Sequence, residues 1–313
     1  MENHRSSPRS GLQWNCLFVL PFWLQAVRRH LDSRGEPCIV SVHDDSRVVG
    51  IVPLCVEDHT ARFLGNSDVC DYQDMVVVPG HEAQVMAAVV SHLQSRGIRR
   101  MELQTLRPEA SALKALQDMA SRENRDVTVV PDGVTYETPL PDAWDDFLMQ
   151  LSGKQRHEVR RKIRRLENHG DFTYKTAGMD IDPDIAVDHF LHLFQMNRTD
   201  KAEFMDAAMT AYFRELVGAA ARLQILKLHV LEVEYMPAAA VLCFDYGQER
   251  YLYNSAYDAG YHELSVGIIS KVLSIRCGIE AGCRRYDFLK GAETYKRHLG
   301  GEEVPLYRCC VEL

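Results

Sequence analysis

The chain of 313 residues has no apolar run approaching the roughly 18 residues that span a bilayer; its longest candidate, Leu17 to Val27, is broken by Pro21. Membrane insertion is therefore not expected, and with no cleavage-type small-residue site behind that stretch neither is secretion. No CxxC pair occurs among the nine cysteines (Cys16, Cys38, Cys55, Cys70, Cys243, Cys277, Cys283, Cys309 and Cys310), so zinc-ribbon and dithiol chemistry lack their motif. An odd number of scattered cysteines reads as reduced thiols of a cytoplasmic protein. Thirteen histidines form neither HExxH nor HxxxH, and no metal site is expected. GxSxG and GxxxxGK[ST] are also missing, which removes the nucleophile elbow of the α/β-hydrolases and the P-loop. Basic residues are in deficit, 36 Lys and Arg against 44 Asp and Glu, and a net charge of −8 opposes wrapping by nucleic acid.

What is present is the composition of a soluble globular protein long enough for two domains. Residues 1–12 are polar and Ser/Arg-rich and read as a flexible tail. A helix is expected over Leu17 to Leu31, then a three-stranded antiparallel meander (Cys38 to Val42, Val48 to Val56, Ala61 to Leu64) with polar turns between its strands. Asp74 to Val78 reads as a strand, Glu82 to Arg96 as a helix ended by Gly97, Arg99 to Leu106 as a strand, the residues after Pro108 as a helix, and Val127 to Val130 as a strand.

The second half repeats this order. Strands are expected at Phe172 to Thr176, Leu223 to Glu234, Ala238 to Tyr246, Arg250 to Tyr257, Arg284 to Leu289 and Val304 to Val311. Helices are expected at Ile185 to Arg198, Ala202 to Ala221 and from Ser265 to near Gly282. The expected organisation is an α/β (mixed-sheet α+β) protein of two similar domains, 13–140 and 141–313, parted at Pro139 and Pro141.

Several words in this order sharpen the reading. They are Tyr253-Asn254-Ser255-Ala256-Tyr257-Asp258, then His262-Glu263-Leu264-Ser265-Val266-Gly267 opening a helix, then Tyr286-Asp287-Phe288-Leu289-Lys290-Gly291 and Tyr295-Lys296. Together they resemble the closing motifs of two-domain GNAT-superfamily acetyltransferases. This group is associated with cellulose and exopolysaccharide biosynthesis and related to Fem-type peptidyl transferases. Gly65-Asn66 with Asp71, Tyr72 and Asp74 resembles its N-terminal pattern. The resemblance covers about residues 15 to 311 and implies tandem GNAT folds and an acyltransferase that takes acetyl-CoA or another acyl-CoA as donor, without a metal.

On the residues alone, Ser265 before a glycine-containing first turn is either an ordinary helix cap or an anion site made of uncovered N–H groups and the helix dipole. The resemblance places the CoA pyrophosphate there, against His262, Leu264, Ser265, Val266 and Gly267 with Tyr257 nearby. His262 and Ser265 depart from the Q/R-x-x-G-x-G/A form of that loop. Asp287 alternates with Tyr286 and Phe288 on a strand; it is either a surface partner of Lys290 or Arg285, or a carboxylate that orients an acceptor amine or takes its proton. Lys296 and Tyr295 offer a charge and a phenol, and the resemblance implies that the lysine stabilises developing charge. Glu293 is the reserve base. The resemblance places Asp71, Tyr72 and Asp74 near the cleft between domains as candidates for binding an amino or hydroxyl acceptor, the alternative being a turn with Asx capping, and Asn254 is a further substrate-binding candidate.

Between Lys154 and Arg165 stand seven Lys or Arg. Arg156, Arg160 and Arg164 recur at i, i+4 beside the apolar stripe Val159, Ile163 and Leu166, with Ser152 as N-cap. This face is either a solvated helix surface or a site for phosphates of CoA, a nucleotide-linked sugar, an anionic lipid carrier or RNA. Two other functions remain: a Fem-like transferase using aminoacyl-tRNA, and a catalytically silent protein that binds a saccharide or lipid-linked precursor.

Overall fold

A computed structural model describes residues 11–31, 35–65, 67–123, 126–196 and 205–313. Asn66 and most of the expected tail lie outside this range, but Leu12 is 5% exposed and packs into the first core, so the expected tail is too long at its inner end. The chain divides into two compact units. One is Met1–Val134 with Val304–Leu313; the other is Thr135–Glu303.

In the first unit Pro21 does not break the expected helix but starts it. A single 3-10 turn, Leu17–Val19, precedes α1 (Pro21–His30), where the proline occupies a position whose missing N–H costs nothing. Strands β1 (Glu36–Asp44), β2 (Arg47–Glu57) and β3 (Thr60–Phe63) form the antiparallel meander, and β4, only Val76–Val77, pairs with β2. Helix α2 (Glu82–Ser95) lays Val85, Met86, Val89 and Leu93 on the sheet. Val85 lies where a Cβ on Gly50 of β2 would come within 2.5 Å of its methyls, so the glycine sets the approach of helix to sheet. β5 (Arg100–Leu106) runs parallel to β3, α3 (Ser111–Glu123) follows, and β6 (Val127–Pro139) leaves the unit.

Two expectations change here. β6 extends nine residues beyond Val130, passing through Pro131 and Gly133, residues that elsewhere interrupt strands. The last strand, β12 (Glu302–Glu312), belongs mostly to the first unit, because it pairs antiparallel with β5 (Cys309 opposite Leu103, Val311 opposite Met101). The domain expected at 141–313 thus gives up its final strand. Within the first unit the strand order is β1-β2-β3-β5-β12-β6.

Asp74 explains why the expected strand Asp74 to Val78 shrinks to two residues. Its carboxylate accepts the N–H groups of Met75 (2.8 Å), Ser111 (2.9 Å) and Ala112 (2.9 Å), capping the first turn of α3 from a distant part of the chain. Burial outweighs these three donors and pushes its pKa up to about 6. The folded state then holds this proton more tightly than the unfolded chain. Stability from this group is present below about pH 4 and is lost as pH rises through 6, a change of about 3 kcal/mol by pH 7. Denaturant unfolding of the wild type and Asp74→Asn between pH 4 and 7 tests this: the wild type should lose stability relative to the variant as pH rises, and parallel profiles would contradict it.

The second unit carries α4 (Trp144–Gln150), α5 (Gly153–His169), β7 (Phe172–Thr176), α6 (Pro183–Met196) and α7 (Ala207–Arg222). The meander β8 (Leu226–Val233), β9 (Met236–Tyr246), β10 (Glu249–Tyr257) leads into α8 (Val266–Glu280), β11 (Arg285–Lys290) and α9 (Thr294–His298). The strand order is β7-β8-β9-β10-β11-β6. Ala238 to Phe244 of β9 are buried without alternation, as a strand covered on both faces must be, here by α6 and α8. α5 opens with a reciprocal capping box: Gln155 N–H donates to Ser152 Oγ (3.3 Å) and Ser152 N–H to Gln155 Oε1 (3.1 Å).

The order meander–helix–strand–helix–strand occurs twice along the chain, from β1 to β6 and again from β8 to β12. The repeat reaches an irregularity. β5 and β11 each end with a non-glycine residue at positive φ, Thr105 (52°) and Leu289 (59°).

Candidate functional site

β10 and β11 run parallel only at Glu249/Arg285, Arg250/Tyr286 and Tyr251/Asp287. Beyond these pairs β10 continues to Tyr257 and β11 to Lys290 without pairing to each other. Bulges cause the parting. Tyr253 is the extra residue of β10 against β9, between Leu252/Cys243 and Asn254/Leu242. On its other side β11 shifts register against β6 between Asp287 and Lys290. A bulge twists its strand out of the common plane, and two at the same level open the sheet.

Asp287 and Lys296 hold the bulged segment of β11. Asp287 is fully buried; its Oδ1 accepts the N–H of Leu289 (2.7 Å) and the hydroxyl of Thr135 (3.3 Å). Lys296, 2% exposed, donates to the carbonyls of Leu289 (2.9 Å), Lys290 (2.7 Å) and Gly291 (3.1 Å) and pairs with Glu293 (3.0 Å). The donors and acceptors left over by the bulge are thus met by these two side chains. The alternative of a surface pair for Asp287 does not hold. Glu293 stands at the start of α9, more than half exposed, and is the carboxylate of this group that meets solvent. Burial pushes the Tyr295 phenol upward, and its ring faces the Lys271 ammonium at 4.9 Å.

At the far end of β10, Asp258 accepts the N–H of Gly260 (2.7 Å) and starts the 3-10 turn Ala259–Leu264 that leads into α8. Ser265 occupies the N-cap position in the left-handed conformation (φ 56°), and its side chain makes no cap hydrogen bond. This corrects the expected Ser cap. The hydroxyl instead accepts from Lys162 Nζ (3.0 Å), while Arg165 donates to the carbonyl of Glu263. Lys162 is also held by Glu158 (3.2 Å). Two cations of α5 thus stand at a loop whose own sequence offers only His262. Leu264 and Val266 turn their side chains into the core, leaving only backbone to a ligand. Gly267 has a packing reason of its own: a Cβ there would lie 2.8 Å from the ring of Tyr257. Lys271 Nζ donates to the Gly267 carbonyl (2.7 Å), and Asn254 accepts the N–H of Ser255 (2.7 Å).

The structure brings His262, Ser265, Gly267 and Tyr257 together at the start of α8, and Asp287, Glu293, Tyr295 and Lys296 at the end of β11. Asp71, Tyr72 and Asp74 belong to the first unit. There Tyr72 is buried beneath Phe18 and Arg107, whose guanidinium lies 4.9 Å from the ring, and Asp74 is the cap described above, so of the three it is Asp74 that caps. Sequence reading missed Lys162, Arg165 and Lys271 as separate contributors. The signal for Lys271 was available: a lysine between Ile269 and Val272 on a helix of apolar residues marks an inward cation. Among the described residues no group of three or more His, Cys, Asp or Glu is placed to hold a metal ion, and no helix is long and apolar enough to cross a membrane.

Residues 153–297 match the family model of the acetyltransferase (GNAT) domain. This stretch is a GNAT domain. It contains α5, the parted strands and the whole of the α8 loop. No curated protein sequence matches the chain. Solved structures share its fold. FemX superposes with a TM-score of 0.65 at 12% identity over 95% of this chain and 92% of that one. A conserved protein from Bacteroides thetaiotaomicron gives 0.63 at 13% over 93% and 90%. A C-terminal domain assigned to a lysylphosphatidylglycerol synthetase of Agrobacterium fabrum gives 0.62 at 12% over 88% and 84%. The architecture is therefore a two-domain, GNAT-like α/β fold, and the GNAT domain supports an acyltransferase.

Proposed function

We propose that the unit Thr135–Glu303 transfers an acyl group from acyl-CoA, with acetyl-CoA as the first donor to try, directly to an amine of a small or envelope-type acceptor. The observation that carries this reading is the parting of β10 from β11 beside the α8 loop. Backbone groups on the end of β10, which has no ladder partner in β11 there, can hydrogen-bond a thioester arm, and the first turn of α8, reinforced by Lys162 and Arg165, suits a pyrophosphate. The amine attacks the thioester carbonyl carbon, and a backbone N–H of β10 stabilises the oxyanion. The tetrahedral intermediate expels CoA thiolate, giving amide and free CoA once the amine proton has reached the thiolate through a base. Glu293, exposed at the start of α9, is assigned that base; Asp287 and Lys296 position the end of β11 that leads into it.

The test is acetyl-CoA-dependent thiol release with a panel of amines, including headgroup amines prompted by the likeness to the lysylphosphatidylglycerol synthetase domain. Glu293→Gln should lower kcat about 100-fold or more with little change in KM for acetyl-CoA. An unchanged kcat would remove Glu293 from the chemistry. A second reading, an aminoacyl-tRNA donor, is favoured by the basic face of α5. It predicts affinity for charged tRNA that falls steeply with salt, and no thiol release from any acyl-CoA.

A further inference from the structure

The basic residues of α5 do not form one surface. At 100° per residue Arg156, Arg160 and Arg164 fall within an arc of about 80°, while Lys162 and Arg165 point to the opposite side, toward the α8 loop. The first three line a groove of about 740 Å3 whose other walls include Trp144 and Leu148 of α4 and Arg276 of α8.

Among the described residues none of Arg156, Arg160 and Arg164 has a carboxylate partner. Arg156 reaches the sulfur of Met149 (2.8 Å) and Arg164 the backbone carbonyl of Arg160 (3.4 Å). Arg161, one residue away, is by contrast fully engaged by Glu158 (2.8 and 2.7 Å), and Arg276 by Glu280 (3.0 Å). Asp145 and Glu167 also line the groove without pairing with the three. Like charges one turn apart weaken a helix, so an uncompensated row of three is a cost that a bound anion removes. Arginine forks suit phosphate oxygens, and a rise of about 6 Å between successive members serves more than one phosphate. Trp144, stacked on Phe147 (5.5 Å between centroids, 23° between planes), adds a partly exposed aromatic wall. The volume lies within the roughly 300–1,000 Å3 of small-molecule sites.

We propose that this groove binds a nucleoside polyphosphate, its phosphates on Arg156, Arg160 and Arg164 and its base against Trp144, at a site separate from the acyl-donor loop. The chemistry is shared by a free nucleotide and by the nucleotide part of a larger carrier, CoA included. The experiment is a titration of the full chain with ADP, UDP, inorganic pyrophosphate and CoA at fixed ionic strength, read by tryptophan fluorescence.

Nucleotides should bind at least tenfold more tightly than pyrophosphate, with a signal that disappears in Trp144→Phe. Arg160→Ser with Arg164→Ser should weaken ADP at least tenfold while leaving the melting temperature within two or so degrees of wild type. Lys162→Glu, aimed at the acyl-donor loop, should leave ADP affinity within about twofold of wild type; loss of ADP binding in that variant would mean that the groove is part of the donor site and overturn the separate site. Equal affinity for ADP and pyrophosphate, unchanged affinity in the arginine variant, or saturable binding only of a single-stranded oligonucleotide would also overturn it. Because the readout needs no acyl transfer, its failure is distinguishable from failure of the donor reading.

Discussion

A chain ending at Glu303 is expected to lose the cooperative folding of its first unit. The ten residues removed carry nearly all of β12, whose Cys309 and Val311 are buried in the first core and whose backbone pairs with β5 from Arg100 to Leu106. Burying Leu306, Cys309 and Val311 contributes about 1.5–3 kcal/mol for each large apolar side chain, and each ladder bond about 1 kcal/mol more. The sum rivals the roughly 5–15 kcal/mol by which a domain is stable. It also leaves an unpaired edge on β5, which invites aggregation. Hydrogen exchange of the truncated chain should show β5 and β2 unprotected. A truncated chain that melts within a degree or two of the full one would show that β12 is dispensable.

Lys296→Met should lower stability by about 3–5 kcal/mol, because it leaves the carbonyls of Leu289, Lys290 and Gly291 buried without their donor. A lysine acting only on developing charge predicts something different: an unchanged urea midpoint with lost turnover. Arginine should not rescue, since its planar fork cannot reproduce three donations from one nitrogen inside a site of this size. Urea unfolding followed by thiol release on the same preparations separates the two roles. A midpoint equal to the wild type's would refute the clamp.

Much of the architecture is visible in the sequence because it rests on local signals. The N-cap at Ser152, the turn residues between β1, β2 and β3, and the glycines that follow α2 and α8 all act within a few residues of themselves. The division of the chain is less visible. Pro131 and Gly133 have the chemistry of a break, yet β6 runs through them; and nothing local tells Cys309 and Val311 that their partners lie 200 residues earlier.

The candidate site is less legible than the fold. The words around Ser265 and Asp287 fall at the start of α8 and at the end of β11, but Asp287 and Lys296 are drawn inward by the donors and acceptors of a bulge that alternation does not foresee. Asp74 looks like an acceptor ligand until α3, more than 30 residues later, returns to present its first N–H groups. The partition of the basic helix follows from 100° per residue alone, whereas the groove it lines needs Trp144 and Arg276 from other elements.

Calorimetric titration of the full chain with acetyl-CoA and longer acyl-CoAs tests the central claim most directly, with Lys162→Glu as the companion variant. Gly267→Glu is a poorer probe, because Tyr257 already fills the space any side chain there needs. The account predicts saturable one-to-one binding that weakens at least tenfold in Lys162→Glu, since the new carboxylate faces the donor phosphates beside Ser265. A folded protein that binds none of the acyl-CoAs would contradict the account.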